Sequence, residues 1–248
     1  MIAAAVQFRA PKGQPSATRE ALAGWLERAA AEGAGLVVFP ELATTGYIWR
    51  SVEEIQPHAE AADGPTFRVL SWIAAERGLW VVCGYPERAE DGALYNAAMV
   101  IGPRGQLITS YRKVLLYSAD MPWARAGEQR VLLQSDFGTL MPAICMDIND
   151  NGLIRTLHQH RPDILAFPTS WVAEGSDVVA YWRARLSRFG GCFVAADNWG
   201  EDSGTVFAGQ SCVLGPDGRI LASLGPVGDG LALAELPKLK VQASFARA

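Results

Sequence analysis

The sequence is poor in the residues that build metal centres and disulfide frameworks. It has 4 cysteines and 3 histidines in 248 residues, with no CxxC pair and no acidic cluster at metal-ligand spacing. A structural metal is therefore not expected. Charge of one sign is lacking too. The 22 Lys plus Arg against 26 Asp plus Glu leave a net charge of −4, which gives no reason to expect nucleic acid or an anionic membrane as partner. No run approaches the ~18–20 consecutive apolar residues that a membrane-spanning helix requires. The chain enters an apolar run at once, Ile2 to Phe8, without the basic stretch and cleavage site of a secretory leader. These absences predict a cytoplasmic protein with reduced thiols.

What is present is ordinary globular material. Half of the residues are hydrophobic and 19% are charged, and the length suits one domain, expected over 1–248. Residues 2–8 read as a strand. A helix over 17–31 places Leu22, Trp25, Leu26, Ala29 and Ala30 on one face. Leu36-Val37-Val38-Phe39 is typical of a strand buried on both faces and is stopped by Pro40. A helix over 66–77 capped by Gly78, a strand over 79–83, and strands over 97–101 and 106–110 around Gly102-Pro103-Arg104-Gly105 follow. The second half repeats this grammar. It reads as a helix over 154–160, a strand over 164–168 again ending in Phe-Pro, a helix over 178–189 and a strand over 192–196. Strands over 211–214 and 219–221 then flank Gly215-Pro216-Asp217-Gly218. Two pseudo-equivalent α/β halves are expected, their sheets face to face and their helices outside.

Three segments set a reactive residue at the end of an apolar strand. In Val37-Val38-Phe39-Pro40-Glu41 a carboxylate follows a buried strand directly. Loss of solvation there raises its pKa, so that it can exchange protons near neutral pH. In Ser110-Tyr111-Arg112-Lys113 an ammonium ends a hairpin strand, suited to holding a developing oxyanion. In Met141-Pro142-Ala143-Ile144-Cys145-Met146-Asp147 a thiol sits where the chain breaks into a polar loop. A nearby cation is expected to lower that thiol's pKa from ~8.5. Cys83, Cys192 and Cys212 lie inside strands and read as inert core residues.

Taken in order, Phe39-Pro40-Glu41, Tyr111-Arg112-Lys113 and Ile144-Cys145-Met146-Asp147 resemble the Glu-Lys-Cys signature of the nitrilase (carbon–nitrogen hydrolase) superfamily, in its amidase-like branch. The likeness extends through Thr45-Gly46-Tyr47, Ile164 to Trp171 and Gly209-Gln210-Ser211. It implies an α/β fold, a four-layer α-β-β-α sandwich of two mixed β-sheets. It also implies a small-molecule amide substrate, a cysteine thioester intermediate and no cofactor or metal. Cys145 would be the nucleophile, Glu41 the base and then the acid, and Lys113 the oxyanion stabiliser, helped by the backbone N–H of Met146. Trp171 would form an apolar pocket wall. Subunits would pair through the helices near 152–160 and 178–189 into a homodimer or larger homo-oligomer.

One departure stands out. Many members carry a second glutamate shortly after the lysine, where this chain has Met121 beside Asp120. Asp120 is the expected substitute in substrate positioning, with a shorter reach, and Glu128 the lesser candidate. Lys113 to Trp123 and Cys145 to Asn149 also resemble the branch that deamidates N-terminal asparagine. Pocket-lining side chains are expected from loops near 43–60, 117–127, 147–152 and 171–178. Three other readings stay open at this point: a nitrile substrate, a Cys-His hydrolase pairing Cys145 with His158 or His160, and a catalytically silent scaffold.

Overall fold

A computed structural model describes residues 1–175 and 177–237; Ser176, within the expected pocket loop 171–178, lies outside the described residues. The first half contributes β1 (Ile2–Gln7), α1 (Pro15–Ala31), β2 (Ala34–Val38), the single turn α2 (Val52–Ile55), α3 (Pro65–Arg77), β3 (Trp80–Arg88), β4 (Leu94–Ile101) and β5 (Leu107–Arg112). The second contributes β6 (Leu133–Ser135), β7 (Gly138–Pro142), α4 (Asn151–His160), β8 (Ile164–Thr169), α5 (Val178–Arg185) and β9 (Cys192–Asp197). Then come a hairpin of β10 (Trp199–Asp202) and β11 (Thr205–Ala208), and the strands β12 (Cys212–Leu214), β13 (Ile220–Ser223) and β14 (Gly230–Glu235).

The strands form two six-stranded mixed sheets, ordered β14-β1-β2-β3-β4-β5 and β6-β7-β8-β9-β12-β13. Each has a parallel trio, β1-β2-β3 or β7-β8-β9, flanked by antiparallel neighbours. The sheets therefore match strand for strand. The two Gly-Pro-x-Gly turns are twins as well. Gly102 and Gly215 each donate to the carbonyl four residues on, and Gly105 and Gly218 both take φ +74°, a left-handed angle that glycine adopts without steric cost.

Side-chain alternation along the strands divides the interior into layers. Ala4 and Val6 face α1 and α3, packing with Leu22, Leu26 and Leu70. Ala3 and Ala5 point the other way, with Leu36 and Val38, toward Ala166, Val194 and Val213 of the opposite sheet. On the far side Leu165 and Phe193 pack with Leu153, Leu157 and Trp182 of α4 and α5. The order is helices, sheet, sheet, helices: the expected four-layer sandwich. No helix among the described residues is long and apolar enough to cross a membrane.

Several elements depart from the expected ones. β3 runs on to Arg88 because Val81 to Arg88 pair without a break with β4. α5 stops at Arg185, not Phe189: Leu186 to Phe189 form a turn that drives the Phe189 ring into the helix–sheet core. β14, β6 and the β10–β11 hairpin were not foreseen. β14 exists through pairing with β1, Ile2 opposite Glu235, and carries the chain back to the first sheet.

Candidate active site

The two Phe-Pro strand ends converge. Phe39 donates its N–H to Val82 O at 2.8 Å and Gly84 donates to Pro40 O at 3.1 Å, which holds the segment after β2 against β3. A Cβ on Gly84 would lie 2.4 Å from Pro40 O and 2.6 Å from Glu41 Cα, so only glycine permits this approach. The chain then turns through Leu42, at φ +47°. The Glu41 carbonyl accepts from Asn198 Nδ2 at 3.0 Å and Ser170 Oγ at 3.2 Å, while its N–H reaches Thr169 O, at the other Phe-Pro end, at 3.4 Å. The backbone at Glu41 is thereby tied to both halves.

Lys113 leaves β5 with its N–H on Asn96 O at 2.8 Å. Its Nζ donates to Glu41 Oε1 at 2.6 Å and to Asp120 Oδ2 at 2.7 Å, and all three side chains are shut off from solvent. Asn96 Nδ2 bridges the same two carboxylates, at 2.7 Å from Glu41 Oε1 and 3.0 Å from Asp120 Oδ1. Tyr47 Oη at 3.3 Å and the Tyr117 N–H at 2.9 Å complete the shell of Asp120. Glu41 Oε2 has no protein partner. A buried carboxylate oxygen left open in this way is free to take a proton.

Cys145 follows β7 at φ +42° and starts a 3-10 turn over Cys145–Asn149. A non-glycine residue in that region is uncommon and marks a sharply held elbow. Asp147 holds it. Its carboxylate accepts from the Ile144 N–H (2.9 Å), Tyr111 Oη (2.7 Å) and the N–H groups of Val114 (3.0 Å) and Leu115 (2.8 Å). Val114 and Leu115 follow Lys113 directly, so one carboxylate clamps the thiol's turn to the lysine's strand. As the second residue of its turn, Met146 has an N–H without an intrahelical acceptor.

Burial, and then the charge of Asp120, push the Glu41 pKa up against the pull of Lys113. Burial works against the charge of Lys113, but Asp120 and Glu41 outweigh it and hold its pKa well above the ordinary lysine range. The thiol reverses an expectation. Burial, reinforced by Glu41, drives the Cys145 pKa well above its usual value, and Lys113 with Thr169 and Ser170 only partly opposes this. A preformed thiolate is thus disfavoured until something removes the proton.

Cys145, 7% exposed, opens into a cavity of about 280 Å³ walled by Met146, Ser170, Trp171, Tyr117 and Tyr181. Glu41 and Lys113 are fully buried beside it. Two larger clefts, one at Trp199 and one beside α5, do not reach the sulfur. Met146 and Trp171 stand in the cavity wall. Asp120 does not; it lies buried against Lys113. Met121 is 68% exposed and Glu128 is exposed, so neither takes the place of a second buried acid. His158 and His160 are exposed in the last turn of α4, away from the cavity, which removes the geometric basis for a Cys-His pair.

Sequence reasoning missed Asn96, Asn198, Tyr181 and Asp197. Asn96 and Asp197 did carry a signal, the one amide and the one carboxyl side chain of two wholly buried strands. The Asp197 carboxyl accepts the Trp171 N–H at 2.8 Å and leaves its second oxygen unpartnered. Burial there, reinforced by Glu41, raises its pKa well above the ordinary carboxylate range.

Comparison with known proteins places this geometry among relatives. A family model described as carbon-nitrogen hydrolase matches residues 2–244. A nitrilase of Pyrococcus abyssi is 30% identical over 213 residues, covering 85% of this chain and 80% of its own. A protein N-terminal amidase of Schizosaccharomyces pombe is 27% identical over 250 residues, covering 82% and 87%. Among solved structures, a Glu-to-Gln variant of the amidase from Nesterenkonia sp. AN1 superposes with a TM-score of 0.83 at 26% identity, covering 96% of this chain and 90% of that one. It carries the acetamide moiety of fluoroacetamide added covalently at its active-site cysteine.

Proposed function

This chain belongs to the carbon–nitrogen hydrolase family, whose model spans nearly its whole length, and from that premise we propose that it hydrolyses small amides through a thioester on Cys145. The observation that carries the reading is the sealed Lys113–Glu41 pair, 2.6 Å apart, whose charges act on the thiol at the cavity floor.

The raised thiol pKa dictates the first step. Glu41 takes the Sγ proton as the sulfur attacks the amide carbon, so the thiolate never has to persist in an apolar site. Lys113 and the Met146 N–H hold the tetrahedral oxyanion, each donor worth roughly 3–4 kcal/mol of barrier when preorganised. Glu41 passes its proton to the departing nitrogen, leaving an acyl thioester and releasing ammonia or an amine. The same carboxylate then draws a proton from water, which attacks the thioester, frees the carboxylic acid and restores the thiol. A carboxylate with a raised pKa suits this double duty.

Asp120 and Asn96 act behind these groups. Asp120 keeps Lys113 charged beside a carboxylate that alternately loses and gains a proton, and Asn96 fixes the spacing of both acids. The same reading makes residues 1–248 a single domain and the enzyme cytoplasmic, assembled as a homodimer or larger homo-oligomer through α4 and α5. The four free cysteines favour a reducing compartment.

The test is ammonia release from a panel of small amides. Cys145→Ala and Glu41→Gln are expected to abolish it, and His158→Ala and His160→Ala to retain it. Dead histidine variants beside a working Glu41→Gln would overturn the assignment.

A further inference from the structure

The walls above Cys145 have a charge and an aromatic character of their own. Tyr117, Trp171 and Tyr181 supply three aromatic side chains. The Trp171 and Tyr181 rings lie 5.5 Å apart at 46°, and the Tyr181 hydroxyl donates to the Asn149 side chain, which pins that ring at the rim. The backbone N–H of Trp171 donates to Asp197 Oδ1 at 2.8 Å, which anchors the main chain that carries the indole.

Glu174 is the one charged side chain in the wall among the described residues, and no Arg or Lys joins it. The nearest cation of the triad, Lys113, is buried and already engaged by both Glu41 and Asp120. A substrate carrying its own carboxylate would meet Glu174 and find no Arg or Lys in that wall to offset the repulsion or its lost hydration. An ammonium group meets the opposite conditions: a carboxylate and three aromatic side chains in the same wall.

We propose that the preferred substrates are small amides bearing an ammonium group a few bonds from the amide carbon, with Glu174 and the aromatic side chains of Trp171 and Tyr181 taking the cation. This rests on Cys145 as the amide-cleaving nucleophile and names the substrate class of that same cavity. Glu174 is exposed, so its pull is screened by water and salt. Carboxylate and rings together correspond to about a tenfold preference.

The test compares kcat/KM of the full chain for three amides of matched length: 4-aminobutanamide (cation), pentanamide (its neutral isostere) and succinamate (anion). The expected order is cation, neutral, anion, with about tenfold between the first two at low ionic strength and less in high salt. Glu174→Gln should shrink the cation-to-neutral ratio, mainly through KM, and Glu174→Lys should bring succinamate ahead of 4-aminobutanamide. Equal kcat/KM for all three, a lead for succinamate, or a ratio untouched by Glu174→Gln overturns the charge rule while leaving amide hydrolysis standing. No ammonia from any of the three overturns both.

Discussion

Phe39-Pro40-Glu41 and Phe167-Pro168-Thr169 end equivalent strands, β2 and β8, in two halves that share one topology. Their surroundings differ sharply. The first places a carboxylate 2.6 Å from Lys113, the residue after β5; the second places the neutral hydroxyl of Thr169 beside the Cys145 thiol, and the residue after the equivalent strand β13 is the apolar Leu224. Cys145 follows β7, whereas the matching strand β1 runs into Phe8 and Arg9. The backbone is duplicated and the charge is not. A repeated scaffold supplies strand ends that face one another, and polar side chains at one of each pair convert that meeting point into a reaction site.

That asymmetry can be broken experimentally, beginning where the effect should be greatest. Cys145→Ala should lower kcat/KM by ~10⁴-fold or more, since a nucleophile acting in a concerted unit is not replaced by binding alone. Lys113→Ala should lose at least ~10²–10³-fold through the missing oxyanion donor. It should also cost about 3–5 kcal/mol of stability in denaturant unfolding, because Glu41 and Asp120 would be left buried without their cation. Gly84→Ala should cost about 100-fold in kcat with the fold retained by circular dichroism: the new methyl pushes Pro40 and Glu41 off their positions, and a displacement near 1 Å suffices for such a loss.

The pH profile follows from the raised Glu41 pKa. Glu41 must be ionised to accept the thiol proton, so kcat/KM should fall about tenfold per pH unit below a midpoint that lies above the ordinary glutamate range. Thr169→Val, at the uncharged twin of Glu41, should change kcat/KM by less than about tenfold, in keeping with the modest cost of trading one buried hydroxyl for a methyl. A loss there as large as that of Glu41→Gln would show that both strand ends do chemistry.

Features written in local sequence were the legible ones. The Phe-Pro strand ends, the Gly-Pro-x-Gly turns and the capping glycine Gly78 each depend on residues within a few positions, and they sketched both halves and the layer order. β14 was not legible. Gly-Leu-Ala-Leu-Ala-Glu has no β-branched residue, and its extended form comes from pairing with β1 at the opposite end of the sequence. The β10–β11 hairpin did leave a trace in Ser203-Gly204, which take φ +53° and +84°, the pair of positive angles that tight hairpins use.

The site divides in the same way. Glu41, Lys113 and Cys145 stand out because each is a reactive side chain beside an apolar strand end. The shell that controls them is three-dimensional. Asn96 meets Glu41 across 55 residues and Asp147 meets Val114 across 33, separations that leave no mark on neighbouring sequence. The direction of the thiol shift was misjudged for the same reason: a cation beside the sulfur is readable, but the depth of burial that outweighs it is not.

The most direct test is peptide mapping by mass spectrometry of the wild-type protein, quenched in acid during turnover of a small amide. The substrate's acyl group is expected on Cys145, with Cys83, Cys192 and Cys212 unmodified. An acyl group on any other residue, or ammonia released with Cys145 never acylated, would contradict that expectation.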